Sequence, residues 1–272
     1  MSSIAETLAQ ARHLGIDRLD AQLLVGHVLQ RPRSWLIAHD DAPLTEAEQL
    51  AIAGLLQRRA DGEPVAYLVG EKEFHGLVLQ VTPAVLIPRP DTETLVDWAL
   101  SVLETTSPSA KVLDLGTGSG AIALALKHRH PSASVTAVDT SADALAVAEA
   151  NAARLGLEVQ FRLGSWWEGL KHERFDLVVS NPPYIALGDD HLPALRHEPE
   201  LALTSGSDGL DAIRTIAAGA PAHLKSGGWL LLEHGHGQAA QVGRLLLAHG
   251  FASVRTRQDL AGIVRSSGGQ WR

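Results

Sequence analysis

The chain has 272 residues, 45% apolar and 20% charged, a soluble globular balance with room for one large domain or two modest ones. It contains no cysteine, which excludes disulfides and thiolate chemistry and agrees with a reducing, cytoplasmic setting. A formal charge of −8 argues against direct nucleic-acid binding, no run of about 18 apolar residues suggests a membrane span, and Met1–Glu6 lacks the basic and apolar parts of a signal peptide.

Residues 1–70 read as a compact helical domain. Ser3 with Glu6, and Thr45 with Glu48, have capping-box spacing. Apolar residues recur at helical spacing through 19–29 and again through 50–56. Gly62, Pro64 and Gly70 then break the pattern. Residues 71–90 read as a linker. Phe74 to Val81, with Gly76 inside a β-prone run, predicts a short hairpin, and Pro83, Pro88 and Pro90 make a stiff connector after it.

From 91 to 272 strand and helix alternate. Strands are predicted at Lys111–Leu115, Ser134–Val138, Val159–Leu163, Phe175–Ser180 and Trp229–Glu233, with helices over 120–128 and 141–155. Such alternation implies an α/β fold with a mostly parallel sheet covered on both faces. The segments 252–256 and 263–265 are too close for a crossover helix, so they should pair antiparallel at the sheet edge.

Asp114-Leu115-Gly116-Thr117-Gly118-Ser119-Gly120 lies at a strand-to-helix junction, where glycines let the backbone approach a ligand. Asp139 ends the next strand, at the position that binds ribose hydroxyls in nucleotide-binding units. The spacing is neither that of a dinucleotide fold nor that of a P-loop. A nucleoside ligand without pyrophosphate fits better, and S-adenosylmethionine, released as S-adenosylhomocysteine, is the expected cofactor. Asp114 has two readings, contact with the cofactor ammonium or capping of loop amides. Trp166 and Trp167 also have two, stacking on adenine or packing in the core.

Asn181-Pro182-Pro183-Tyr184 closes the strand at 175–180. Pro182 restricts Asn181 to extended angles, and neither proline offers an N–H. The result is a rigid corner with a side-chain amide, a free carbonyl and an aromatic ring, suited to gripping a planar –NH2 group; an ordinary Asn-Pro turn is the plainer reading. His234 and His236 lack a third ligand, so no metal is expected, and His128, Arg129 and His130 read as the cationic end of a helix.

These segments resemble the HemK-type protein-(glutamine-N5) methyltransferases, the family of bacterial peptide chain release factor glutamine methyltransferases. The likeness covers nearly the whole chain. It runs through Phe74–Leu77, Leu86–Glu93 (Leu-Ile-Pro-Arg-Pro-Asp-Thr-Glu), Asp114–Gly120, Asn181–Ile185, Glu198–Leu203 and Asp259–Arg265. The resemblance implies a Rossmann-like methyltransferase domain behind a helical substrate-recognition domain, acting as a monomer. It implies that Gly116, Thr117, Gly118, Ser119, Gly120, Asp139, Trp166 and Asn181 hold the cofactor. Asn181, Pro182, Pro183 and Tyr184 would hold the glutamine of the Gly-Gly-Gln motif of class-one release factors. The chain departs from many related methyltransferases at Ser165, where they carry an Asp that accepts from the adenine amino group; a serine is a weaker acceptor.

An amide nitrogen is a poor nucleophile because its lone pair is delocalised. The Asn181 oxygen and the Pro182 carbonyl would each accept one substrate N–H, Tyr184 would flank the amide, and no general base is needed. The alternative is an adenine-N6 methyltransferase gripping a flipped base at the same corner, against which stands the absence of a Lys/Arg tract beside the motif. The tail Gly268-Gly269-Gln270 repeats the substrate's Gly-Gly-Gln, and coincidence in a chain terminus, often disordered, is the expected reading.

Overall fold

Both capping boxes form. Ser3 Oγ accepts from the Glu6 N–H while Glu6 accepts from the Ser3 N–H, starting helix α1 (Ile4–His13), and Thr45 with Glu48 starts α4 (Glu46–Ala60) in the same way. The computed structural model describes residues 2–272, and the chain falls into two units, one ending at Glu71 and one running Lys72–Arg272. The first unit is completed by α2 (Arg18–Leu29), α3 (Arg33–Ala38) and α5 (Val65–Val69). Their apolar stripes converge on a core that includes Ile4, Leu24, Val25, Leu36, Ile52 and Leu56. At roughly 1.5–3 kcal/mol per buried aliphatic side chain, that core accounts for the unit's cohesion.

A hairpin comes next, β1 (Glu71–Phe74) and β2 (Leu77–Gln80). Its turn is the pair His75-Gly76, both with positive φ, 49° and 81°, the sense that matches strand twist in a two-residue turn. After α6 (Pro90–Leu103) the elements run β3 (Lys111–Leu115), α7 (Ala121–Arg129), β4 (Ser134–Asp139), α8 (Ala142–Leu155), β5 (Gln160–Leu163), β6 (Phe175–Ser180), α9 (Asp211–His223), β7 (Leu224–Glu233), α10 (Ala239–Ala248), β8 (Ala252–Gln258) and β9 (Val264–Gln270). They form one seven-stranded sheet in the order β5-β4-β3-β6-β7-β9-β8. Strands β3 to β7 pair in parallel, and β9 runs against both its neighbours. The α/β fold with an antiparallel last strand is therefore present. Helices α6 and α7 cover one face around Leu95, Trp98, Ile122 and Leu124, while α9 and α10 cover the other around Ile213, Ile216, Val242 and Leu246.

Two features differ from the sequence reading. Strand β7 is longer than predicted and starts at Leu224, directly at the end of α9, with a register shift opposite Phe175 and Leu177 that absorbs Ser226-Gly227-Gly228. Gly268-Gly269-Gln270 is not a loose tail. It forms the end of β9, paired with Trp229, Leu230 and Leu231 of β7. A Cβ on Gly268 would lie 2.5 Å from Leu231 Cδ2 and 2.8 Å from the Leu230 carbonyl, and Gln270 Nε2 donates to the Gly227 carbonyl. Packing accounts for these glycines. Among the described residues no helix is long and apolar enough to cross a membrane, and no three acidic or histidine side chains cluster as a metal site would require.

Candidate functional site

The strand order reverses between β3 and β6, since β4 lies on one side of β3 and β6 on the other. Open α/β sheets bind ligands at such a switch point, beyond the carboxyl ends of the strands. Leu115 pairs with Ser180, so the glycine loop after β3 and the Asn-Pro-Pro-Tyr corner after β6 emerge side by side. Between them opens a cleft of about 450 Å³, within the range of small-molecule sites.

The glycine loop is fastened to β4. Gly116 and Thr117 donate to the Val138 carbonyl, and Gly118 N–H donates to Asp139 Oδ2 at 2.8 Å. Gly118 takes φ 56° with open space where a Cβ would point, so its backbone stands bare at the cleft. Gly120 takes φ 84° at the N-terminus of α7, where a Cβ would lie 3.2 Å from Ala148 Cβ. Asn151, wholly buried on α8, staples the loop from behind: Nδ2 donates to the Ser119 and Gln80 carbonyls, and Oδ1 accepts from Gln80 N–H.

Asp114 is fully buried beneath this loop. Its Oδ2 accepts from Thr117 Oγ1 and Ala123 N–H, and its Oδ1 has no protein partner. Burial pushes this carboxyl up to about 7, against those two hydrogen bonds and with the Asp139 charge adding to the rise. Of the two readings open for Asp114, the structure provides the loop-side one on Oδ2, and Oδ1 is buried without a protein partner. Asp139 accepts one amide on each oxygen, Gly118 N–H on Oδ2 and Ser141 N–H on Oδ1, with lone pairs remaining toward the cleft it lines.

The two tryptophans separate. Trp166 lines the cleft beside Gly116, whose Cβ, if present, would lie 3.5 Å from the Trp166 ring. Its φ of 49° is rare for a bulky residue and costs about 1–3 kcal/mol, strain that tends to collect at ligand sites. Trp167 turns away, stacks on His223 at 4.9 Å and donates to the Thr215 carbonyl. Ser165 lines the cleft, its N–H held by Glu168 Oε2.

At the other wall stand Asn181 and Pro183. Asn181 Nδ2 donates to Thr92 Oγ1 at 3.2 Å, which leaves Oδ1 as its free acceptor. Pro182 is buried and does not line the cleft. Tyr184 points its hydroxyl to Glu233 Oε1 at 3.4 Å, and burial together with the Glu233 charge pushes its pKa up. Gln238 holds the corner from outside, donating to the Tyr184 and Asp208 carbonyls and accepting from Gly235 N–H. Arg89 and Thr92 bring the Pro-Arg-Pro-Asp-Thr-Glu segment into the same cleft, and Arg89 pairs with buried Glu198, which also accepts from Ile87 N–H. His234 is buried against Ser267 Oγ, and burial lowers its pKa, the state of a neutral structural histidine.

Residue-by-residue reading overlooked Thr92, Asn151, Arg89 and Glu233. Asn151 had a signal, a polar residue on the otherwise Ala/Leu face of α8. Thr92 and Glu233 had none, because Thr92 meets Asn181 and Glu233 meets Tyr184 only when α6 and β7 are packed.

The family description Methyltransferase small domain matches residues 93–197, and PrmC N-terminal domain matches residues 1–70. A release factor glutamine methyltransferase of Xylella fastidiosa is 52% identical, covering 90% of each chain. One of Bordetella pertussis is 52% identical over 94% of this chain and 95% of its own. A methyltransferase of Pyrococcus furiosus, 20% identical, superposes with a TM-score of 0.54 over 72% of this chain and 89% of its own, a likeness of fold.

Proposed function

The chain belongs to the release factor glutamine methyltransferase family, and on that premise we propose that it methylates the side-chain amide nitrogen of the glutamine in the Gly-Gly-Gln motif of class-one release factors. In this reading residues 1–70 recognise the release factor and residues 91–272 carry out the transfer, with 71–90 as the connection. The carrying observation is the shared cleft: a glycine loop over an unpartnered buried carboxylate oxygen faces a rigid amide corner at the switch point.

S-adenosylmethionine fits the residues present, and when bound it supplies the electrophilic methyl group. Asp114 Oδ1 would take its ammonium, Asp139 its ribose hydroxyls and Trp166 its adenine face. Asn181 Oδ1 accepts one N–H of the glutamine amide, while Pro182, buried off the cleft, holds Asn181 extended rather than meeting the substrate. An acceptor on the –NH2 draws charge onto the nitrogen and fixes its direction. Holding a reactant in this way supplies up to roughly 7–11 kcal/mol of barrier reduction in ideal cases. Because the methylated amide nitrogen becomes strongly acidic, its spare proton passes to water without a dedicated base.

The test is incubation with labelled S-adenosylmethionine, a purified class-one release factor and, separately, nucleic acid. The label should appear on the Gly-Gly-Gln glutamine by mass spectrometry. Label on adenine and none on the release factor would overturn the reading in favour of a base methyltransferase. Asn181→Ala should retain cofactor binding and lose transfer.

A further inference from the structure

On the Asn181 side of the cleft stands a cation to which neither the cofactor nor the glutamine amide gives a role. Among the described residues lining the cleft, Arg89 is the only lysine, arginine or histidine. It precedes the first turn of α6, and its carbonyl accepts from Thr92 N–H at 3.1 Å. Thr92 Oγ1 in turn accepts from Asn181 Nδ2, so Arg89 lies one hydrogen-bonded turn from the amide corner.

The guanidinium is clamped along one edge. Nη2 donates to Oε1 of Glu198, whose side chain is 3% exposed and whose Oε2 accepts from Ile87 N–H at 3.1 Å. A pair with one partner so deeply buried is weak evidence for stability. What it does is geometric. The Arg89 side chain remains 36% exposed at the cleft, and of the five N–H donors of a guanidinium Glu198 uses only one on Nη2. Glu198 also begins the segment whose Pro199, Leu201 and Ala202 line the same cleft and bring no charge to it.

The charge balance selects the ligand. Glu198 neutralises Arg89, and the other charged residues lining the cleft, Asp139 and Asp211, are acidic. A free anion therefore meets no net positive charge here, whereas directed N–H groups remain on offer. Their match is a neutral acceptor such as a peptide carbonyl. A Gly-Gly-Gln segment has no side chain before its glutamine, so a site can hold that stretch only by its main chain.

We propose that Arg89 is a substrate-binding residue which donates, from the guanidinium edge left free by Glu198, to a main-chain carbonyl of the Gly-Gly-Gln segment; the proposal rests on the methyl-transfer reading of the cleft. Glu198 is the positioning residue that aims it. The contact holds the segment in register while its glutamine reaches Asn181 Oδ1. It is made equally before and during transfer, so it strengthens substrate binding and leaves the chemical step alone.

Two variant enzymes test this: Arg89→Lys, and Arg89→Met combined with Glu198→Gln. The second removes the guanidinium without leaving a buried carboxylate unpaired, and glutamine keeps an acceptor for Ile87 N–H. At saturating S-adenosylmethionine, both should raise KM for a purified class-one release factor about 10–100-fold, the scale of one hydrogen bond to a charged group. With binding alone affected, kcat should stay within about threefold of wild type, and calorimetric Kd for S-adenosylmethionine within about twofold. Lysine fails because a single ammonium drawn to Glu198 cannot span to a second acceptor as the planar fork does. Arg89→Lys keeps a cation against Glu198, so it decides the matter even if the double variant does not fold. Wild-type KM in Arg89→Lys would overturn the proposal. So would a raised cofactor Kd with unchanged KM for the release factor, which would assign Arg89 to the cofactor carboxylate instead. A wild-type enzyme that leaves the release factor unmethylated would sink the functional reading and this proposal with it, whereas an active wild type with unaffected variants sinks the proposal alone.

Discussion

Replacing Asp114 with asparagine should stabilise the protein and weaken its grip on the cofactor at the same time. Burial raises the Asp114 carboxyl from 3.8 to about 7. Between those values the folded state binds more protons than the unfolded state, so stability is full below pH about 4 and falls as pH rises toward 7. At about 1.36 kcal/mol per pH unit, the charge costs on the order of 4 kcal/mol at pH 7. The asparagine of the variant carries no charge, but places a buried donor where Oδ1 now lies unpartnered, at about 1–3 kcal/mol. The expected net gain at pH 7 is about 1–3 kcal/mol, or roughly 2–4 °C in Tm per kcal/mol for a domain of this size. The difference should shrink toward pH 5. Removal of the carboxylate also removes a charge-assisted hydrogen bond to the ammonium, about 1.5–3 kcal/mol, so the cofactor Kd should rise roughly 10–150-fold. Thermal denaturation of the apo protein from pH 5 to 8, with calorimetric titration of S-adenosylmethionine, measures both. A variant no more stable than wild type at pH 7, or a difference independent of pH, would refute the reasoning.

Asp139→Ala should weaken cofactor binding by at least about tenfold by calorimetry, since it loses ribose acceptors and releases Gly118 N–H. The tryptophans should divide cleanly: Trp166→Ala raises cofactor Kd, whereas Trp167→Ala leaves Kd unchanged and costs about 3 kcal/mol in denaturant unfolding by emptying the space against His223. Gly268→Val should destabilise by about 1–3 kcal/mol or more, because its Cβ would meet Leu231 and the Leu230 carbonyl, and a chevron or melting series reads the loss. Wild-type cofactor affinity should itself fall about tenfold per pH unit below 7, as Asp114 takes up its proton, and Asp114→Asn should abolish that slope.

Much of this protein is written locally. The capping pairs Ser3/Glu6 and Thr45/Glu48 depend on residues three apart, and both form. The strand-to-helix position of Gly116–Gly120 follows from an apolar run meeting a helical period, and Asp139 follows one unit later. The close spacing of 252–256 and 263–265 forbids a crossover helix, and β8 and β9 do pair antiparallel. Such features need only chain geometry within a few residues, so the sequence by itself determines them. What it leaves open is lateral. Nothing in the order of the strands says that β6, rather than β5, lies against β3, and that choice brings Asn181 beside the glycine loop. Adjacent tryptophans share a strand end, and only the packing of α9 sends Trp167 to His223 while Trp166 stays at the cleft. Thr92 and Asn181 lie on separate elements, as do Tyr184 and Glu233, and packing of α6 and β7 is what brings each pair into hydrogen-bonding distance. Desolvation in that packed interior, which no local pattern encodes, is also what lifts Asp114 and Glu233 to about 7.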